Sequence, residues 1–187
     1  MQNAELTAGR LETWGQAKGV KTLLQVLLVI GIGVIAALAK RVEPSFGIPG
    51  SSAPLWLGTM VAGRAIVRKD GAGALMGATV AVMGLPLGMN NSFMHNLSLY
   101  GLSGLALDVV ARLPKINIRN PFGALACGIV AHLVKFGFIA GAAMTSVVTK
   151  HFMVIGFAQS AGLHLLFGAV AGLVGWGAFR LTQIRVK

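Results

Sequence analysis

Residues with chemical potential cluster in the second half of the chain. His132 and Lys135 are three apart, so they share one face of any helix that carries them. Ser160 and His164 are four apart and also share a face, with Gln159 beside them. Upstream, Asn90, Asn91, His95, Asn96 and Tyr100 form a polar group in which Asn96 and Tyr100 lie on a common helical side. All of these fall in or next to apolar stretches, where an ionisable group costs several kcal/mol unless it is paired or hydrated. An ammonium and two imidazoles in such places predict a hydrogen-bonding pocket facing the protein interior. For each single His or Asn an interhelical hydrogen bond is a sufficient explanation. Their convergence favours a ligand site.

The same residues do not make an enzyme. The segments holding them contain one carboxylate, Asp108, so there is no acidic pair for proton transfer or for holding Mg²⁺. No nucleophile motif accompanies the serines. His95, His132 and His164 follow no local metal-ligand spacing, and Cys127 stands alone in an apolar stretch. The glycines at 71 and 73 lack the Gly-Lys-Ser/Thr ending of a phosphate loop, so ATP-driven work would need a partner. No cofactor is expected.

The elements that must position these side chains are membrane helices. Of the 187 residues 55% are hydrophobic and 11% charged, against about 25% charged in a soluble domain. Glycine, at 26 residues, suits close helix packing in lipid. Apolar segments at 23–39, 54–67, 71–89, 93–113, 122–148 and 154–181 predict an all-α fold of six transmembrane helices, residues 22–187 forming one domain. Residues 1–21 read as a cytoplasmic, interfacial or disordered lead-in. The second segment is short and holds Arg64, which must snorkel to an interface. With the fifth segment at 122–148, Lys135 stands thirteen residues, roughly 20 Å, from each end, and His164 also falls near mid-membrane.

The net charge of +11 sits at segment ends without interleaved aromatics, which excludes a nucleic-acid surface. Arg10, Lys18, Lys21, Arg68, Lys69, Arg112, Lys115, Arg119, Arg180, Arg185 and Lys187 lie on one side, and only Lys40, Arg41 and Lys150 on the other. The positive-inside rule then places both termini in the cytoplasm. Small residues recur every four positions, as in Gly33/Ala37 and Gly73/Gly77. Such grooves are filled either by helices of this chain or by another membrane subunit, and the pattern alone does not choose.

This pattern resembles the substrate-binding S components of energy-coupling factor (ECF) vitamin transporters, over about residues 23–181. The resemblance rests on the six-helix topology, the glycine-rich run Gly71-Ala72-Gly73-Ala74-Leu75-Met76-Gly77-Ala78-Thr79, and a Pro/Gly-rich first outer loop. It implies a non-enzymatic importer subunit of a prokaryotic-type plasma membrane. Such a subunit captures a vitamin-like molecule from outside and hands it to a transmembrane T subunit driven by two ATPases. It implies that Gly33 and Ala37, where the family has Ala-x-x-x-Ala, dock the T subunit together with Gly73 and Gly77. It also implies that the loop at 44–54 is a lid, with Phe46 and Trp56 covering the ligand. The pocket would then take Asn96, Tyr100, Lys135, Gln159, Ser160 and His164, with His132 deeper. Cations and amides without a carboxylate other than Glu43 in the lid suit a neutral or anionic ligand. The N-terminal His motif of the metal-binding members is missing. The competing class is a membrane scaffold whose polar residues only cross-link helices.

Overall fold

The computed structural model describes the backbone of residues 2–42, 48–89, 92–144 and 150–184, and the side chains of 19–42, 48–89, 92–143 and 156–184. Among these residues the chain is all-helical: α1 (Gln2–Val42), α2 (Ala53–Ile66), α3 (Ala72–Gly84), α4 (Phe93–Asn96), a π-helical turn (Leu97–Gly101), α5 (Leu102–Ala111), α6 (Pro121–Met144) and α7 (Lys150–Ile184). The short α4, the π turn and α5 run on from one another without a break, so the described residues make six helical rods. Three stretches are long and apolar enough to cross a membrane, at Gly19–Val42, Pro121–Ala143 and Gly156–Ile184. The end of the bundle that carries the 48–52 turn is called the upper end, and the end that carries the α2–α3 and α5–α6 connections the lower end.

Several boundaries differ from the sequence reading. Residues 2–21, expected as an interfacial or disordered lead-in, are helical and continuous with the first apolar segment in the 41-residue α1. No proline interrupts this stretch, and its Ala, Glu, Leu and Gln residues favour helix even where the surface is polar. The third rod stops at Gly84 instead of 89, because Pro86 comes next and Gly88 takes a left-handed φ of 63° that continues no helix. α6 is described as far as Met144, and the last residues of the segment read at 122–148 lie outside the described residues.

The second segment, weakest by hydropathy, is the centre of the bundle. Only 14 residues long, α2 packs against α1, α3, α5, α6 and α7, and ten of its residues are buried, among them Trp56, Leu57, Met60 and Val61. A helix enclosed by protein need not be long or uniformly apolar, since it meets little lipid. The outer rods do, and α1 exposes Leu23, Leu24, Leu27 and Leu28 accordingly.

Glycine grooves bring the rods together. At the α3–α5 crossing Gly73 faces the Gly104 carbonyl, and Gly77 faces the Tyr100 carbonyl of the π turn. Where α6 meets α7, Gly128 faces the Gly168 carbonyl and Gly172 the Ala124 carbonyl, so backbone touches backbone. The grooves read as docking sites are filled in the same way from within. Gly33 lies on Thr79 and Met76 of α3, and Ala37 is fully buried. Gly33, Ala37, Gly73 and Gly77, expected to dock a partner subunit, are packed against helices of this chain. It follows that Gly33→Leu lowers the melting temperature of the detergent-purified protein. Its Cβ alone would lie 2.6 Å from Thr79 Cβ, an overpacking worth about 1–3 kcal/mol. Gly31→Leu, two residues away with nothing within 4 Å, should melt like the parent; equal melting of both variants would count against the packing assignment.

The lower end is closed by charge. Arg64 Nε donates to Asp108 Oδ1 at 2.7 Å, both side chains being almost fully buried. Asp108 Oδ2 accepts from the Ala74 N–H at 2.9 Å, in the first turn of α3. Arg64 Nη1 donates to the Val67 carbonyl at 3.1 Å. The carboxylate thus joins α5 to α2 and to the otherwise unsatisfied N-terminal amides of α3.

Candidate functional site

The upper half of the bundle gathers five of the expected polar and aromatic residues around one point. Lys135 of α6 is buried, with its Nζ 4.9 Å from the Trp56 ring and 5.1 Å from the Tyr100 ring. The two rings meet edge to face, centroids 5.1 Å apart. An ammonium flanked by two aromatic faces gains from both quadrupoles, and more where water is excluded. His132, one turn from Lys135, lies 6.5 Å from Trp56 and 4.6 Å from the ring of His164 on α7. Trp56, Tyr100 and His132 are no more than 2% exposed, and His164 is 4% exposed. These side chains fill the space between themselves, so the site is closed.

The π turn helps to assemble it. A wide i→i+5 turn inserts an extra residue into a helix and rotates the residues beyond the insertion. Here it carries Tyr100, and the Leu102 N–H returns to the Leu97 carbonyl. The exposed backbone of the turn rests on Gly77, where no side chain intervenes.

Hydrogen bonding fixes the imidazoles. His132 Nδ1 lies 2.9 Å from the His164 carbonyl, and His164 Nδ1 lies 2.8 Å from the Ser160 carbonyl. A carbonyl only accepts, so each Nδ1 carries the proton and a neutral ring turns Nε2 outward as an acceptor. For His132 that Nε2 is buried and has no hydrogen-bond partner among the described residues, and the same holds for the Trp56 Nε1–H. A buried polar atom left unpaired costs about 1–3 kcal/mol. The site thus holds one unpaired donor and one unpaired acceptor, on rings whose centroids are 6.5 Å apart, with the Lys135 ammonium 4.9 Å from the Trp56 ring.

Over these residues lies the α1–α2 loop. Ile48, Pro49, Gly50 and Ser51 make a turn with proline second and glycine third, the glycine at φ 82° and the Ser51 N–H donating to the Ile48 carbonyl at 3.1 Å, the pattern of a type II turn. A Cβ on Gly50 would come within 3.0 Å of His132 Cε1 and 3.3 Å of His164 Cα. The turn therefore sits directly on the two histidines. Gly50, Ser51 and Phe136, whose ring is 5.0 Å from that of His164, are not singled out by sequence. A Pro-Gly turn between two apolar segments is the signal that marks Gly50.

Other expected members are elsewhere. Asn96 is fully buried one turn above Tyr100, its amide against Gly84 of α3. His95 is exposed, 5.7 Å from Phe138 at the α4–α6 seam, and leaves the site because it points about 100° away from Asn96 on the same helix. Gln159 is exposed for the same reason relative to Ser160. Ser160 is half-buried and acts through its carbonyl and a 3.5 Å hydroxyl contact to His164 Nδ1. Trp56, expected to cover a ligand with Phe46, stands on α2, buried against Tyr100 and His132. Phe46, Asn90, Asn91 and Glu43 lie outside the described residues. No group of three metal-binding side chains occurs among the described residues.

Comparison of the chain with known protein families, with curated proteins and with solved structures finds no match.

Proposed function

We propose that this protein is the substrate-capture subunit of an ECF-type importer in a prokaryotic-type plasma membrane. On this reading all six rods form one multi-pass domain, the termini are cytoplasmic and the upper end faces outward. A neutral or anionic vitamin-like molecule enters when the 48–52 turn lifts, and a T subunit with two ATPases completes delivery. Orientation is supported by Arg68, Lys69, Arg112, Lys115 and Arg119, which belong to the lower connections. Since Gly33 and Ala37 are used internally, a T subunit would meet the exposed side of α1, which presents Ile30, Ile35 and Leu38.

The observation that carries this reading is the pair of buried, unpartnered atoms Trp56 Nε1–H and His132 Nε2, close to Lys135. A site poised to bind supplies such groups, and a ligand carbonyl or carboxylate together with a ring N–H would satisfy both. A scaffold role has its own support, because the Nδ1 atoms of both histidines are spent on α7 carbonyls as cross-links would be. Mass spectrometry of small molecules released from detergent-purified protein separates the two. Capture predicts one species enriched with the parent and strongly depleted with Trp56→Phe, which keeps an aromatic ring and deletes the N–H donor. An absence of any enriched species, after expression in rich medium, favours the scaffold.

A further inference from the structure

A second polar site lies at the lower end, away from the histidines. A cavity of about 300 Å³ opens between the end of α2 and the α5–α6 connection, lined by Arg64, Arg68, Arg119 and Asn117 with Ile116 and Ile118 beside them. The charges around it do not balance. Arg64 is committed to Asp108, and Asp70 is held by Arg112 at 3.1 Å with Arg64 at 3.8 Å. Arg68 is exposed and has no ion pair among the described residues. Arg119 is anchored by its Nε to the Ala65 carbonyl at 2.9 Å and by Phe179, whose ring centroid is 5.1 Å from its guanidinium, neither of which carries a compensating charge. Burial and the neighbouring Arg68 charge both push Arg119 below the ordinary arginine value. Asn117 spends its Oδ1 on the Arg119 N–H.

We infer that this cavity binds a phosphate group, held by Arg68 and Arg119. Two guanidiniums that repel each other across a cavity are stabilised by an oxyanion that both can reach, and the planar fork of arginine matches phosphate oxygens. Arg119 is pre-positioned by its bond to Ala65, and Trp176 Nε1–H donates to the Arg119 carbonyl at 3.2 Å, which fixes the backbone there. The phosphate can come from a lipid headgroup, since the cavity lies at an end of the rods beside the exposed apolar residues Ile66, Leu113 and Phe122, or from a soluble phosphate.

Titrating the full-length, detergent-purified protein separately with a short-chain phosphatidic acid, with phosphatidylcholine and with inorganic phosphate, read by native mass spectrometry, tests the site. Arg68→Gln, an exposed change that leaves folding contacts alone, should weaken phosphatidic acid binding about tenfold, and Arg68→Glu should remove it. Arg180→Gln, an exposed cation on α7, should leave it unchanged. Dependence on Arg68 for phosphatidic acid alone identifies a lipid site, and equal dependence for inorganic phosphate identifies a soluble anion. Binding insensitive to both Arg68 variants, or weakened equally by Arg180→Gln, overturns the assignment.

Discussion

Lys135→Met is expected to reduce retention of the captured molecule by about 30-fold, with the helical content and elution volume of the parent. A hydrogen bond to a charged group is worth about 1.5–3 kcal/mol, and 2 kcal/mol is roughly a 30-fold change in affinity. Methionine fills the space of the lysine stem between Trp56 and Tyr100 and deletes only the ammonium, so packing is preserved. Lys135→Ala removes stem and charge together and should abolish retention. The readout is the amount of small molecule released per mole of folded protein after a fixed wash. Parent-like retention in Lys135→Met would strike the ammonium from the site, and a folded Lys135→Ala with full retention would strike the whole side chain.

Asp108→Ala should produce the largest loss of stability of any single change at the lower end, about 3–5 kcal/mol. Alanine leaves Arg64 buried at 6% exposure without its 2.7 Å carboxylate, and it also deprives the Ala74 N–H of its acceptor. Asp108→Asn keeps an acceptor for that N–H and restores part of the loss, because the charge is gone but the α3 amide is still satisfied. Asp70 is the contrast: at 72% side-chain exposure its pairs with Arg64 and Arg112 are surface ones, and Asp70→Ala should cost under about 1 kcal/mol. Denaturation in mixed micelles ranks the three variants. Equal costs for Asp108→Ala and Asp70→Ala would show that the buried pair contributes no more than the exposed one.

How much of this is legible in the sequence depends on which physical signal each feature leaves. Apolar runs and their Pro/Gly punctuation locate all six rods, since lipid and the bundle interior both demand apolar side chains. They do not tell a rod in lipid from one inside protein. For that reason α2 reads as the weakest segment although it is the most enclosed. Spacing places His132 with Lys135, and Ser160 with His164, on shared faces. Rotation of a helix against its neighbours decides which face turns inward, and no local pattern encodes that rotation, so His95 and Gln159 are drawn in with their neighbours. The wide turn at Leu97–Gly101 is invisible to a 3.6-residue period, yet it is part of what sets Tyr100 against Trp56. Small residues at four-residue intervals announce close approach without naming who approaches, and here the partner proves to be the chain itself.

The contact between α6 and α7 has a consequence for how the proposed capture would work. Gly128, Gly168 and Gly172 bring two main chains together with no side chains to act as bearings, so these rods form one rigid jaw that carries Lys135, His132 and His164 at fixed spacing. Facing them is the turn that holds Gly50 and Ser51, whose own shape is set by hydrogen bonds from Ser51 N–H to Ile48 and from Ala53 N–H to Gly50. On the capture reading, the 48–52 turn is the part that moves and the α6–α7 pair the part that stays.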